Sequence, residues 1–163
     1  MAMVEWLKKE NIYFVFLGSN KERSLCRRII RGAELKNAVN LAGKTGILEA
    51  AAIVDCCDLL VGNDSGPMHI ANAVKTDVIA LFGPTDRTLG FFPYRPNDKV
   101  FEQDLPCRPC SKHGGPKCPK GHFKCMKDLD AFWVGEEISR RAMQTSFQAE
   151  RQRNRSLKTE SSL

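Results

Sequence analysis

Leu60–Asp86 reads LVGNDSGPMHIANAVKTDVIALFGPTD, two short apolar runs that each end in a polar, glycine-bearing turn. Asp58–Val61 and Val78–Phe82 carry no polar alternation, the pattern of strands covered on both faces, as in a parallel sheet. Residues 67–75 between them are predicted helical. Asp64 or Ser65 is placed to accept the first free N–H groups of that helix, Gly66 allows close backbone approach, and Pro67 suits a first turn that needs no N–H. A strand, a helix and a second strand joined this tightly make a parallel crossover. That connection places GNDSGP and GPTD at the carboxyl ends of neighbouring strands, where α/β sheets bind their ligands.

The alternation extends upstream. Residues 2–10 read as the end of a helix, and Ile12–Leu17 as a strand that stops at Gly18. Lys21–Ala33 read as a helix capped by Ser19 or Asn20, with a basic, solvated face (Lys21, Arg23, Arg27, Arg28, Arg31). Ala38–Leu41 is extended, and Ile47–Cys57 is a helix with Ile47, Leu48, Ala51, Ile53 and Val54 as its core face. The fold class is α/β: a Rossmann-like, mostly parallel sheet with flanking helices, with GSN, GNDSGP and GPTD all at one edge. After residue 90 the pattern gives way to Pro, Gly and Cys. A last helix is predicted over 131–148, packed through Phe132, Trp133 and Val134, and QAERQRNRSLKTESSL reads as a frayed basic tail. The 163 residues suit one ordinary domain. The expected organisation is a ligand-binding domain over 1–135, with a Cys-rich loop at 104–126, and a helix with its tail over 136–163.

A formal net charge of +6 favours anionic partners, phosphates among them. The N-terminus lacks the basic stretch, apolar core and cleavage site of a secretory signal, and the reading is cytoplasmic. A helix beginning at GNDSGP offers N–H groups and a positive dipole end to a phosphate, and His69, one turn in, could reach the same anion. The competing reading is a well-capped helix in which Asp64 and Ser65 serve only the backbone. Gly43-Lys44-Thr45 adds a cation and a hydroxyl, yet it is no P-loop, because Ala38 stands where G-x4-G-K-S/T needs its first glycine. No G-x-G-x-x-G follows the first strand either. A phosphate-bearing ligand held without those fingerprints fits the spacing.

Asn40–Asp86, NLAGKTGILEAAAIVDCCDLLVGNDSGPMHIANAVKTDVIALFGPTD, resembles the nucleotide-sugar-binding half of glycosyltransferase family nine, the ADP-heptose:lipopolysaccharide heptosyltransferases. The motif carrying the resemblance is D-S/T-G-x-x-H followed by a strand ending in G-P-T-D, and the likeness extends over about residues 1–135. It implies half of a GT-B enzyme, in which two Rossmann-like domains enclose the active site. Carried over by position, Asp64, Ser65, Gly66 and His69 would contact the diphosphate and sugar of ADP-heptose. Met68 would line the same pocket, with Lys44 and Thr45 at its edge. The implied reaction is displacement of ADP from the anomeric carbon by a hydroxyl of the lipopolysaccharide inner core, with no cofactor. The resemblance places the family's catalytic base in an N-terminal acceptor domain, which this chain is expected to lack. The expectation is therefore a C-terminal fragment, with no catalytic residue of its own, that binds donor. The resemblance also implies a cytoplasmic site, with peripheral contact at the inner face of the inner membrane, and no nucleic-acid partner. Another GT-B nucleotide-sugar enzyme, such as an epimerase, remains an alternative.

DLPCRPCSKHGGPKCPKGHFKCMKDL gathers Cys107, Cys110, Cys118 and Cys125 beside His113 and His122. A C-x2-C followed by two further cysteines is how structural zinc sites are built, although a typical ribbon repeats the C-x2-C. Free thiols with occasional disulfides are the leading reading of the set, zinc or another metal is the alternative, and both histidines read as loop residues. A zinc-ribbon nucleic-acid-binding module is the competing function, but such a module has no need of the paired GNDSGPMH and GPTD turns.

Overall fold

The computed structural model describes residues 2–115 and 117–160, except for the side chains of residues 2, 5, 6, 146 and 148–160. In chain order the elements are α1 (Ala2–Leu7), β1 (Phe14–Phe16), α2 (Arg23–Gly32), β2 (Ala38–Asn40), α3 (Ile47–Asp55) and β3 (Leu59–Asn63). They continue with α4 (Gly66–Ala73), β4 (Asp77–Phe82), β5 (Lys99–Glu102), α5 (Lys124–Lys127) and α6 (Ala131–Glu160). Two compact units divide the chain: residues up to Lys44 with those from Asp130 on, and Thr45–Leu129.

In the first unit β1 pairs in parallel with β2, Phe14 opposite Ala38 and Phe16 opposite Asn40. The Asn40 side chain holds the end of this ladder, accepting from Ala42 N at 3.1 Å and donating to Arg23 O at 3.0 Å. Gly43 turns the chain at φ +69°, where a Cβ would stand 2.6 Å from Asn20 Cα, so only glycine fits. Leu7 of α1 is buried, as are Val134 and Ile138 of α6, the helix that packs against α1. Phe132 and Trp133, expected to pack the last helix, are instead 51% and 57% exposed. They follow one another at its first turn, so at most part of such a run can share the face of Val134. The helix itself continues to Glu160, past the 148 of the sequence reading, and residues 161–163 of the tail lie outside the described residues.

The second unit contains a three-stranded parallel sheet, ordered β3-β4-β5, in which Leu59 to Asn63 of β3 run opposite Asp77 to Leu81 of β4. Val78, Ile79, Ala80 and Phe82 of β4 are fully buried, as its apolar run demands of a central strand. Thr76 Oγ1 donates to Val54 O at 2.8 Å, tying the β4 entrance to α3. The Asp98 carboxylate accepts from Val78 N, Arg95 N and the Asn72 amide, joining α4, β4 and the loop before β5. Hydrogen bonding thus divides the expected sheet into two sets, each within one unit. The expected core face of α3 is corrected in part: Val54 is buried, but Ile47 and Leu48 are 76% and 85% exposed. Both stand in the first turn of α3; Ile47 shares the face of Val54 by spacing, so coverage of that face fails at the helix start.

Candidate functional site

The loops after β3 and β4 meet in the second unit. Asn63 ends β3, and Asp64 and Ser65 lead into α4, with Ser65 at the N-cap position in extended conformation. Neither side chain caps the helix as the sequence suggested. Ser65 Oγ donates back to Asn63 O at 3.2 Å, and its own carbonyl, not its hydroxyl, accepts from Met68 N. The Asp64 carboxylate is half-buried and has no hydrogen-bond partner among the described residues. Asp86, by contrast, does cap: its Oδ1 accepts from Thr88 N at 2.9 Å, starting a 3-10 turn over Arg87–Leu89.

A cavity of about 330 Å³ opens at these strand ends, with Asn63, Asp64, Gly83, Pro84 and Thr85 on one side. Its other side is the cysteine loop, from Cys110, Ser111 and His113 to Lys117 and Cys118, closed by Cys125 and Met126 of α5. Arg108 holds this loop in place. Its guanidinium, with a side chain only 6% exposed, donates to Gly83 O at 2.5 Å, to Thr85 O at 2.8 Å and to Gln103 O, and it pairs with Glu102 at 2.8 Å. Cys110 N adds a bond to Pro84 O at 2.9 Å. Gly83 leaves room for Met126 of α5: a Cβ there would stand 2.7 Å from Met126 Sδ, and that side chain would have to shift. Beside the cavity, the Phe91 ring lies between those of His69 and His113, at 6.3 and 6.4 Å between centroids.

The expected ligand residues divide accordingly. Asp64 lines the cavity, and Ser65, Gly66 and His69 follow it on the exposed start of α4. Met68, expected to line the pocket, is 1% exposed on the buried face of α4 and does not line this cavity. Lys44 closes the first unit, and Thr45 opens the second. Glu49, which stands near a helix start, accepts from Gly46 N at 2.8 Å and so caps α3. Arg108, Ser111 and Lys117 escaped the sequence reading. The CRPCSKHGG string marks a loop but not what it faces, although a lone arginine between two cysteines was a signal of an internal tie.

All seven cysteines are free thiols, and among the described residues no three His, Cys, Asp or Glu groups converge in a metal-holding arrangement. Cys107 Sγ lies 3.9 Å from His122 Nε2. Hydrogen bonding from the Phe123 backbone, with smaller help from Lys120, His122 and Gly121, holds the Cys118 thiol below its ordinary pKa. Burial, then the neighbouring thiols of Cys110 and Cys118, push Cys125 up. One cavity therefore holds an acidic thiol and a reluctant one.

Residues 1–119 match the family described as Glycosyltransferase family 9 (heptosyltransferase). Lipooligosaccharide heptosyltransferase 2 of Campylobacter jejuni subsp. jejuni serotype O:6 is 38% identical over 128 residues, 77% of this chain and 40% of that protein. Lipopolysaccharide heptosyltransferase 3 of Escherichia coli K12 is 55% identical over 58 residues, 36% of this chain and 17% of that protein. Among solved structures, E. coli ADP-heptose lps heptosyltransferase II superposes with a TM-score of 0.70 at 24% identity, over 89% of this chain and 40% of the other. The family 9 glycosyl transferase of Veillonella parvula gives 0.69 at 20% identity, over 88% of this chain and 40% of the other. These two likenesses show the fold, an α/β arrangement shared with GT-B-like enzymes. The chain spans about two fifths of the length of the Campylobacter protein and of both solved structures. It belongs to glycosyltransferase family 9.

Proposed function

We propose that this family 9 chain is the nucleotide-sugar-binding part of a heptosyltransferase: it holds ADP-heptose while the heptose passes to the lipopolysaccharide inner core. The observation that carries this reading is the cavity at the carboxyl ends of β3 and β4, lined by Asp64 of the D-S-G-x-x-H segment and by Gly83, Pro84 and Thr85 of GPTD. The names of the relatives in Campylobacter and Escherichia supply the sugar and the acceptor class.

In this reading the diphosphate lies against the start of α4, where backbone N–H groups, the positive helix end and the exposed His69 counter its charge. Asp64, whose carboxylate has no partner among the described residues, repels phosphate and instead accepts from a sugar hydroxyl. An acceptor hydroxyl oxygen bonds to the anomeric carbon as the bond to the diphosphate oxygen breaks, and ADP departs with that electron pair. The donors at α4 lower the barrier by binding the charge that gathers on the leaving group. The base that takes the acceptor proton is assigned to no residue of this chain. The same reading places the chain in peripheral contact with the inner face of the inner membrane; no helix among the described residues is long and apolar enough to cross a membrane.

Calorimetry of the chain with ADP-heptose, UDP-sugars and GDP-sugars tests the assignment. Heat with the ADP-sugar alone is expected; a folded sample that gives none at millimolar ligand would overturn it. Because Asp64 caps nothing, Asp64→Ala should weaken binding while unfolding stays within about 0.5 kcal/mol of the parent, the range of ordinary surface changes.

A further inference from the structure

Asn63, Asp64 and Lys117 bring an amide, a carboxylate and an ammonium into one cavity, and none of the three side chains has a hydrogen-bond or ion-pair partner among the described residues. Asn63 and Asp64 come from the end of β3, whereas Lys117 comes from the cysteine loop, more than fifty positions later. Arg108 and the Cys110–Pro84 bond clamp that loop to the turn after β4, so the wall exists before any ligand arrives. Prearranged polar groups of this kind set orientation and specificity in small-molecule sites.

Size and charge identify the occupant. A volume of about 330 Å³ is at the small end of ligand sites, which run from about 300 to 1,000 Å³. It has room for one part of a nucleotide-sugar, not the whole. Asp64 and Lys117 offset one another, so the cavity carries little net charge and has no surplus of cations for a diphosphate. Side chains that donate and side chains that accept match a ring bearing several hydroxyls, each of which does both. The 41% exposed ring of Phe91, held between His69 and His113, adds an apolar face beside them.

We propose that this cavity receives the glycosyl group of the donor, and that Lys117, carried on the cysteine loop, is a specificity-determining contact to its hydroxyls. The inference rests on the nucleotide-sugar reading above and adds that the cysteine loop, not only the D-S-G-x-x-H turn, reads the sugar. Cys118 lines the same wall and reports on it, because a glycosyl group seated there shields its thiol.

The test compares ADP with ADP-heptose on the full chain. Lys117→Met should raise the Kd for ADP-heptose about five- to tenfold, the scale of one partly exposed charge-assisted hydrogen bond, and leave the Kd for ADP within about twofold. Lys117→Arg should recover most of the loss, and melting temperatures should agree across all three proteins. In the parent, ADP-heptose should slow alkylation of Cys118 by iodoacetamide, and ADP should not. Equal weakening of both ligands by Lys117→Met would move the diphosphate into the cavity and overturn the proposal. Unchanged affinities, or equal protection of Cys118 by both ligands, would overturn it too. A parent chain that binds neither ligand overturns the nucleotide-sugar reading itself; binding that ignores residue 117 removes only this inference.

Discussion

Replacing Arg108 with methionine should detach the cysteine loop and cost about 4 kcal/mol of unfolding free energy. The guanidinium, on a side chain 6% exposed, serves the carbonyls of Gly83, Thr85 and Gln103 and the Glu102 carboxylate. A hydrogen bond to a charged group contributes about 1.5–3 kcal/mol, and breaking a buried ion pair from one side costs about 3–5 kcal/mol. The contacts share one donor group and do not add, so the figure stays at the middle of the range of about 3–5 kcal/mol for removing one partner of a buried pair. Methionine keeps an apolar stem of similar length, which isolates the loss of the fork from loss of packing. Glu102 is 29% exposed, so Glu102→Gln, which leaves all three carbonyls served, should cost less than about 1 kcal/mol. Lysine at 108 should fall between, since one ammonium cannot span the carbonyls that a planar fork reaches. Urea unfolding followed by circular dichroism gives the free energies, and iodoacetamide labelling of Cys110 gives the local opening. A methionine variant within 1 kcal/mol of the parent, with Cys110 no more reactive, would refute the clamp.

Three further outcomes follow from buried and charged groups elsewhere. Thr85 is 3% exposed and its hydroxyl has no partner among the described residues, so Thr85→Val should raise stability by about 1 kcal/mol in urea unfolding. A loss of that size would mean the hydroxyl is satisfied by water in solution. The carboxylate of Glu137 accepts from Arg140 and then Arg141, which lowers its pKa from 4.5 to about 2 in the folded chain. A folded pKa below the unfolded one means stabilisation that is complete above about pH 4.5 and lost as the pH falls towards 2, so Glu137→Gln should flatten acid unfolding over that window. Stability falling identically in both proteins would remove Glu137 as the cause. Cys118, its thiol held low, should alkylate before Cys125, whose thiol is buried and pushed up, in mass-mapped labelling near pH 7; the reverse order would contradict the loop geometry.

Much of the fold was legible because its signals are local. The apolar runs at β1, β3 and β4 are read within six residues each, and the expected bounds of α2 and α4 fall within two positions of the observed ends. β5 was missed because Lys99 and Glu102 bound only Val100 and Phe101, too short a pattern to stand out from a loop. α5 is a single turn around Cys125 and carries no period at all. Burial failed where it depends on what lies opposite: Ile47, Leu48, Phe132 and Trp133 have core chemistry, but no neighbour covers them enough to bury them. At the site, Asp64 and the GPTD turn were found from motif and strand order. The caps were not, because Asp64 and Asp86 look alike in sequence and only the geometry of Asp86 sends its carboxylate to the Thr88 N–H.

The sequence by itself determined that β3, α4 and β4 form a parallel crossover, and therefore that GNDSGP and GPTD meet at one edge, because strand period and helix caps act over a few residues. Only the tertiary structure decided that the cysteine loop is the second wall of that edge. Its attachment runs through Arg108 to the carbonyls of Gly83, Thr85 and Gln103, and every residue has a carbonyl, so no residue type marks which of them a distant guanidinium will find.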